Sequence, residues 1–257
     1  MADRPRDDGW WQASDGKWYP PELLDAPRPQ WPTTEQVPVV PRSTSTDLPS
    51  ATPAIVAIIV ASVMSALAAF GGFNLASVVN ASSEPAFVNG EPTHVSETGT
   101  WAFAIGLQYL SLAVSAILLI VFLFKTSKAF GARGASSRSW SSGWTIGAWF
   151  IPVGSLIIPR FVFGELEKIA QVPYGGVPIE DRWKQYSRTS VADLWWFMWV
   201  AGSVVTWVGT VGGNVSIDDD GAFASFVTIA STSSILIAVS GVALVISLRN
   251  LARAASQ

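Results

Sequence analysis

Residues 140–163 read WSSGWTIGAWFIPVGSLIIPRFVF, and whether this stretch crosses a bilayer decides the fold. It is apolar, yet Pro152 and Pro159, with Gly143, Gly147 and Gly154, break it. No uninterrupted helix of about 20 residues, the length that spans a ~30 Å hydrocarbon core, fits inside it. Spanning helices also tolerate proline, so the interruption leaves both outcomes open. Charge separates them.

Around this stretch lie four longer apolar runs, at about 54–79, 101–124, 191–211 and 223–248. None carries Lys, Arg, Asp, Glu or His beyond its first turn. Helices of that length and cleanliness are expected to span a membrane. Thr52 is placed to N-cap the first run, with Pro53 at the first helical position, where its missing N–H costs nothing. Ser190-Val-Ala-Asp193 reads as a capping box for the third, which makes Asp193 a first-turn cap favoured by the helix dipole.

The chain has 16 Lys and Arg, and their distribution threads it. Five lie in residues 1–52 (Arg4, Arg6, Lys17, Arg28, Arg42) and four follow the second run (Lys125, Lys128, Arg133, Arg138). Five follow the broken stretch (Arg160, Lys168, Arg182, Lys184, Arg188), and Arg249 and Arg253 close the chain. The connections 80–100 and 212–222 have none. If residues 140–163 dip in and return, every cation falls on one side; if they cross, seven fall on the other. Positive residues stay cytoplasmic. The expectation is therefore an all-α membrane protein with four transmembrane helices and both termini cytoplasmic. One interfacial or re-entrant amphipathic element, over 140–170, lies between the second and third spans. Trp140, Trp144 and Trp149 suit headgroup depth. Beyond Pro159, Ile158, Val162, Leu166 and Ile169 recur at helical spacing, while Arg160, Glu165, Glu167 and Lys168 occupy the other faces, as in an in-plane amphipathic helix. Arg160, Glu165 and Glu167 read as interfacial salt pairing. Trp195, Trp196 and Trp199 are expected to anchor the inner end of the third span and Trp101 the outer end of the second.

Composition agrees with a bilayer as solvent. Charged residues are 14% of the 257, against about 25% in a globular domain, and hydrophobic residues are 49%. Mean hydropathy is +0.36. A net charge of −3 argues against a nucleic-acid partner, and the absence of Cys excludes disulfides and thiolate chemistry. The polar start is not expected to be a signal peptide, so the first span is expected to serve as an uncleaved insertion signal.

The tail divides in two. Gly9-Trp10-Trp11-Gln12-Ala13-Ser14-Asp15-Gly16-Lys17-Trp18-Tyr19-Pro20 places Asp-Gly between aromatic runs, a hairpin signal. A two-residue turn at Asp15-Gly16 pairs Ala13 with Trp18 and Gln12 with Tyr19. Residues 20–53 contain nine Pro and read as a disordered linker. The expected divisions are 1–22, 23–52 and 53–250. Aromatic faces dock proline-rich segments, so Trp10, Trp11, Trp18 and Tyr19 are the interaction candidates. A membrane-surface anchor or a bare solubilising tail are the alternatives.

The run Ser139-Trp140-Ser141-Ser142-Gly143-Trp144 through Gly147-Ala148-Trp149-Phe150-Ile151-Pro152, then Pro159 and Glu165, resembles the hallmark of the domain of unknown function 4328. Leu194-Trp195-Trp196-Phe197-Met198-Trp199 resembles it too, and the resemblance runs over roughly residues 55–250. Trp140, Gly143, Trp144, Trp149, Pro152, Pro159 and Glu165 are the motif positions. Ser155 stands where the family often has Asn after the Ile-Pro pair. The tail is similar to short Trp-rich modules of other actinobacterial membrane proteins. The resemblance implies an actinobacterial integral membrane protein without assigned activity.

No catalytic, cofactor or metal residues are expected. Nucleophilic catalysis needs a nucleophile within reach of a base, and His94, the one His, falls in an outer connection. Thr228, Ser231, Thr232, Ser233 and Ser234 in the fourth span, and the Ala61–Ser65–Ala69 stripe in the first, read as helix–helix packing. Asp218-Asp219-Asp220-Gly221 lacks the alternation of a calcium loop and reads as a solvated turn. Two functions stay open. One is a non-enzymatic membrane adaptor presenting the Trp-rich tail to a proline-rich or membrane partner. The other is a small oligomeric transporter or channel lined by 144–159.

Overall fold

The computed structural model describes residues 10–12, 18–19, 48–82, 87–173, 177–211 and 220–255. It divides into two units, residues 1–43 and 44–257. In the first, β1 (Trp11–Gln12) pairs antiparallel with β2 (Trp18–Tyr19), Trp11 opposite Tyr19 and Gln12 opposite Trp18. The expected pairing is off by one residue: Gln12 faces Trp18 and not Tyr19. The Asp15-Gly16 turn, and the proline-rich linker up to residue 47, lie outside the described residues.

In the second unit the long apolar runs form α1 (Thr52–Ala81), α2 (Val95–Ala132), α5 (Ser190–Val211) and α6 (Asp220–Ala255). All four are long and apolar enough to cross a membrane. Between α1 and α2, β3 (Phe87–Val88) pairs with β4 (Glu91–Pro92) through a tight turn at Asn89 and Gly90, both at positive φ. The broken stretch contains the single turn α3 (Trp144–Gly147), a 3₁₀ turn at Gly154–Leu156, and α4 (Ile158–Ala170). Thr52 is the first residue of α1 and not its cap; Ser50 Oγ accepts its N–H at 3.3 Å.

The helices α1 and α6 are the central pair, with α2 flanking α1 and α5 flanking α6. Small residues allow the close approach. An imagined Cβ on Gly72 would strike Ser231 Oγ, and one on Gly241 would strike Ser62 Oγ. Ala61, Ser65 and Ala69 are buried, as the packing stripe requires. The α6 hydroxyls follow suit: Ser231 and Ser234 donate to carbonyls one turn back, while Ser233 donates to Gly202 O of α5.

Two apolar clusters fix the ends of the bundle. One joins Leu75 and Val79 of α1 to Phe223 and Val227 of α6. The other joins the start of α1 (Ala54, Ile58), the end of α2 (Phe122, Phe130), the start of α5 (Trp195) and the end of α6 (Leu248, Leu251). Phe163, Leu166 and Ile169 of α4 belong to that second cluster. The chain thus leaves α2 and enters α5 at the same end, and the broken stretch returns to the side it left.

At 38 and 36 residues, α2 and α6 are about 57 and 54 Å long, well beyond a ~30 Å core. Their C-terminal turns overhang this end, where Arg133 Nη1 donates to Ala255 O at 3.0 Å. The overhangs wall a cap whose filling is α4. The segment 177–185 covers it: Ile179 is buried and its N–H donates to Arg133 O, and Trp183 Nε1 donates to Ser136 O. Gly134, at φ +83°, lies so close to Pro178 that a Cβ would come within 2.9 Å.

Candidate functional site

Helix α4 has the expected apolar face, but its charged face is not turned outward. Arg160, Glu165 and Glu167 are 5%, 6% and 4% exposed. Covered by the loops on either side, they need partners, since an isolated buried charge costs several kcal/mol. Each has one.

Glu165 is acceptor to the loop that follows α2. Ser139 N donates to its Oε2 at 2.8 Å, and Trp140 N to Oε1 at 3.4 Å. Arg138 Nε donates to Oε1 at 3.3 Å. The same guanidinium donates to Ser127 O at 2.9 Å and Ser127 Oγ at 2.6 Å, and Ser127 Oγ donates to Ser142 Oγ. One carboxylate and one guanidinium therefore stitch α4, the end of α2 and the tryptophan-bearing loop together.

A second stitch holds the start of α5. Arg160 Nε donates to Asp193 Oδ1 at 2.8 Å, and its Nη2 lies 2.6 Å from the same oxygen. Arg160 Nη1 donates to Glu167 Oε2 at 3.4 Å, and Thr189 Oγ1 donates to Glu167 Oε1. Asp193 is thus the counter-ion of Arg160, a role beyond the expected cap. The expected salt pairing holds for Arg160 with Glu167, whereas Glu165 pairs with Arg138. Burial pushes the Glu167 carboxyl above the ordinary carboxylate range, against the pull of Thr189 and Arg160.

The motif tryptophans separate into two groups. Trp140 and Trp144 meet edge to face, 5.1 Å apart, beside Glu165. Trp149 lies 6.1 Å from Trp196 and 6.2 Å from Trp199. Trp196 stacks on Trp199, and Phe163 meets Trp195. Trp149 Nε1 donates to Thr145 O and Trp196 Nε1 to Leu156 O. Trp195 and Trp196 are therefore buried tertiary contacts, not headgroup anchors. Gly143 immediately precedes α3, and Pro159 is buried in the first turn of α4. Pro152 is exposed beside Val153, a β-branched residue at φ +61°. From there the apolar surface faces outward: Phe150 is 77% exposed and Val153 74%, with Ile151, Leu156 and Ile157 also exposed.

Where the broken stretch meets the bundle, a pocket of about 380 Å³ lies between α1, α2, α5 and α6. Leu112, Leu119, Trp149, Trp195, Trp199 and Leu244 line it, with Ser62, Tyr109, Ser115 and Ser240 as its hydroxyls.

Residues 89–252 match the family described as a domain of unknown function (DUF4328). The chain belongs to that family. The DUF4328 region takes in α2 through most of α6, with both stitches and all the motif tryptophans; α1 and the tail precede it, so it starts later than the expected residue 55. No curated protein and no solved structure matches the chain. Arg138, Ser127, Thr189 and Asp193 complete the site beyond the expected motif positions. No local spacing marks these pairings, because each joins residues more than ten positions apart. Among the described residues no group of His, Asp and Glu could hold a metal ion.

Proposed function

We propose that the protein is a non-enzymatic membrane adaptor, multi-pass in the bacterial cell membrane with both termini cytoplasmic. It presents the Trp-rich tail and the broken 140–170 element to a cytoplasmic or membrane partner. One observation carries this reading: the buried charges of the cap neutralise one another, while the apolar side chains above them face out. Glu165, Glu167 and Asp193 are held by guanidinium groups, which suits a fixed platform better than acid–base work. Phe150, Val153 and Ile157 form the kind of exposed apolar surface that meets lipid or protein. The tail, whose short strands pair antiparallel, carries Trp10, Trp11, Trp18 and Tyr19, residue types that dock proline-rich segments.

The transporter reading has Trp149, at the 380 Å³ pocket, in its favour. Against it, residues 150–153 are on the outside, and the pocket wall has no charged group of the kind that marks ion routes. The test places a photo-crosslinking amino acid at Trp10, Trp11, Trp18 or Tyr19 in cells. A discrete protein adduct, lost when residues 20–53 or the partner's proline-rich segment are altered, supports the adaptor. Solute flux into proteoliposomes above protein-free vesicles overturns it.

A further inference from the structure

A second cleft, of about 180 Å³, opens on the far side of α4 and is polar where the first pocket is apolar. Ser139, Trp140, Phe161, Glu165, Lys168, Trp183 and Arg188 line it. Its one carboxylate, Glu165, is already occupied by Arg138 and two backbone N–H groups. Its cations are not: among the described residues, neither Lys168 nor Arg188 has a carboxylate within ion-pair distance. The cleft therefore holds two cations without an ion-paired carboxylate of their own.

Arg188 is also held in place. Its stem crosses α4 at Gly164, where an imagined Cβ would come within 2.8 Å of Arg188 Cδ and 3.1 Å of its Nε. Its guanidinium sits 4.8 Å over the Phe161 ring. Phe161, Glu165 and Lys168 are spaced to share one face of α4, and Ile157 lies just before its start. On this side of α4 the surface changes from apolar at Ile157 to cationic where Arg188 lies over Phe161 and Lys168 follows. The apolar end adjoins exposed Val153 and Leu156, and the cationic end adjoins Trp183. That gradient has the polarity of one phospholipid, with its chain along Ile157 and its phosphate at the cleft.

We propose that the Lys168–Arg188 cleft binds the phosphate of an anionic phospholipid headgroup. Two basic residues at a membrane surface attract such lipids without selecting among them; the cleft, whose carboxylate is already held by Arg138 and two backbone amides, adds a fixed position for the phosphate oxygens. The assignment rests on the membrane fold and not on the adaptor reading.

Native mass spectrometry of the full chain in neutral detergent tests it by titration. The probes are short-chain phosphatidylglycerol, short-chain phosphatidylcholine and inorganic phosphate. Phosphatidylglycerol should bind tightest, and Lys168→Gln/Arg188→Gln should weaken it roughly 30-fold while the melting profile is kept. Lys125→Gln/Lys128→Gln, which removes the same charge from the exposed end of α2, should leave it within about two-fold. Equal binding of phosphatidylcholine, competition by inorganic phosphate as strong as by the lipid, or an equal loss in both double variants overturns the proposal. Should the first double variant fold poorly, Arg188→Lys, which keeps the charge but not the planar fork, replaces it; unchanged affinity there and in Lys168→Gln overturns it equally.

Discussion

Arg138 and Glu165, 27 residues apart in the chain, meet with Nε 3.3 Å from Oε1 beneath the loop that carries Trp140 and Trp144. The guanidinium is shared with Ser127 of α2, and the carboxylate with the amides of Ser139 and Trp140. Because the pair is nearly buried, it acts less as a source of stability than as a register pin. It sets where the loop after α2 lies on α4, and so where the broken stretch begins.

Removing one partner should be costly. Glu165→Ala leaves Arg138 without a counter-charge and two amides without an acceptor, so a loss of about 3–5 kcal/mol is expected. Glu165→Gln keeps an acceptor oxygen and should lose about 1–3 kcal/mol. Denaturant unfolding in detergent gives the stability, and hydrogen exchange should show residues 138–142 losing protection first. Equal losses below about 1 kcal/mol in both variants would show that the carboxylate does not hold the loop.

The two stitches also mark the limit of what could be read from residue order. The spans were legible because a bilayer demands about 20 apolar residues in a row. Val162, Leu166 and Ile169 were legible because a helix repeats every 3.6 residues. Polarity alone, however, does not tell a solvated helix face from one covered by loops. Arg160 looked interfacial until Asp193, 33 residues on, was brought beside it. The ends of α2 and α6 were missed for a related reason: the apolar pattern stops where lipid stops, while the helix continues into the cap. The strand register slipped because Asp-Gly signals a turn without stating the loop length.

Glu167 should leave a pH signature. Its folded pKa is raised by burial from 4.5, so the folded chain holds this proton more tightly than the unfolded chain. Stability from this group is fully present below about pH 4.5 and is lost as pH rises through the raised folded value. Glu167→Gln cannot titrate yet still accepts from Thr189. Between about pH 4 and pH 8 the wild-type Tm should therefore fall relative to that of Glu167→Gln and then run parallel to it. A gap that moves the other way would mean that Arg160 outweighs the burial.

The central helix pair gives a packing test. An imagined Cβ on Gly241 strikes Ser62 Oγ and comes within 3.3 Å of Ser62 Cβ, so Gly241→Val should cost about 1–3 kcal/mol. Removing the struck atom should return part of it: Ser62→Ala/Gly241→Ala is expected to be more stable than the sum of the single changes allows. Strict additivity, measured by unfolding in mixed micelles, would mean that α1 and α6 do not approach so closely.

The threading can be checked because the chain has no Cys of its own. Glu91, in the connection between α1 and α2, and Lys184, in the cover of the cap, are both exposed. They belong to opposite ends of the bundle, since α2 separates them. With the cation-rich end held inside by the positive-inside rule, an impermeant thiol reagent on intact cells should label Glu91→Cys and not Lys184→Cys. After permeabilisation both should react. Labelling of Lys184→Cys from outside would require the four remaining Arg and Lys of 160–188 to have been carried across the bilayer.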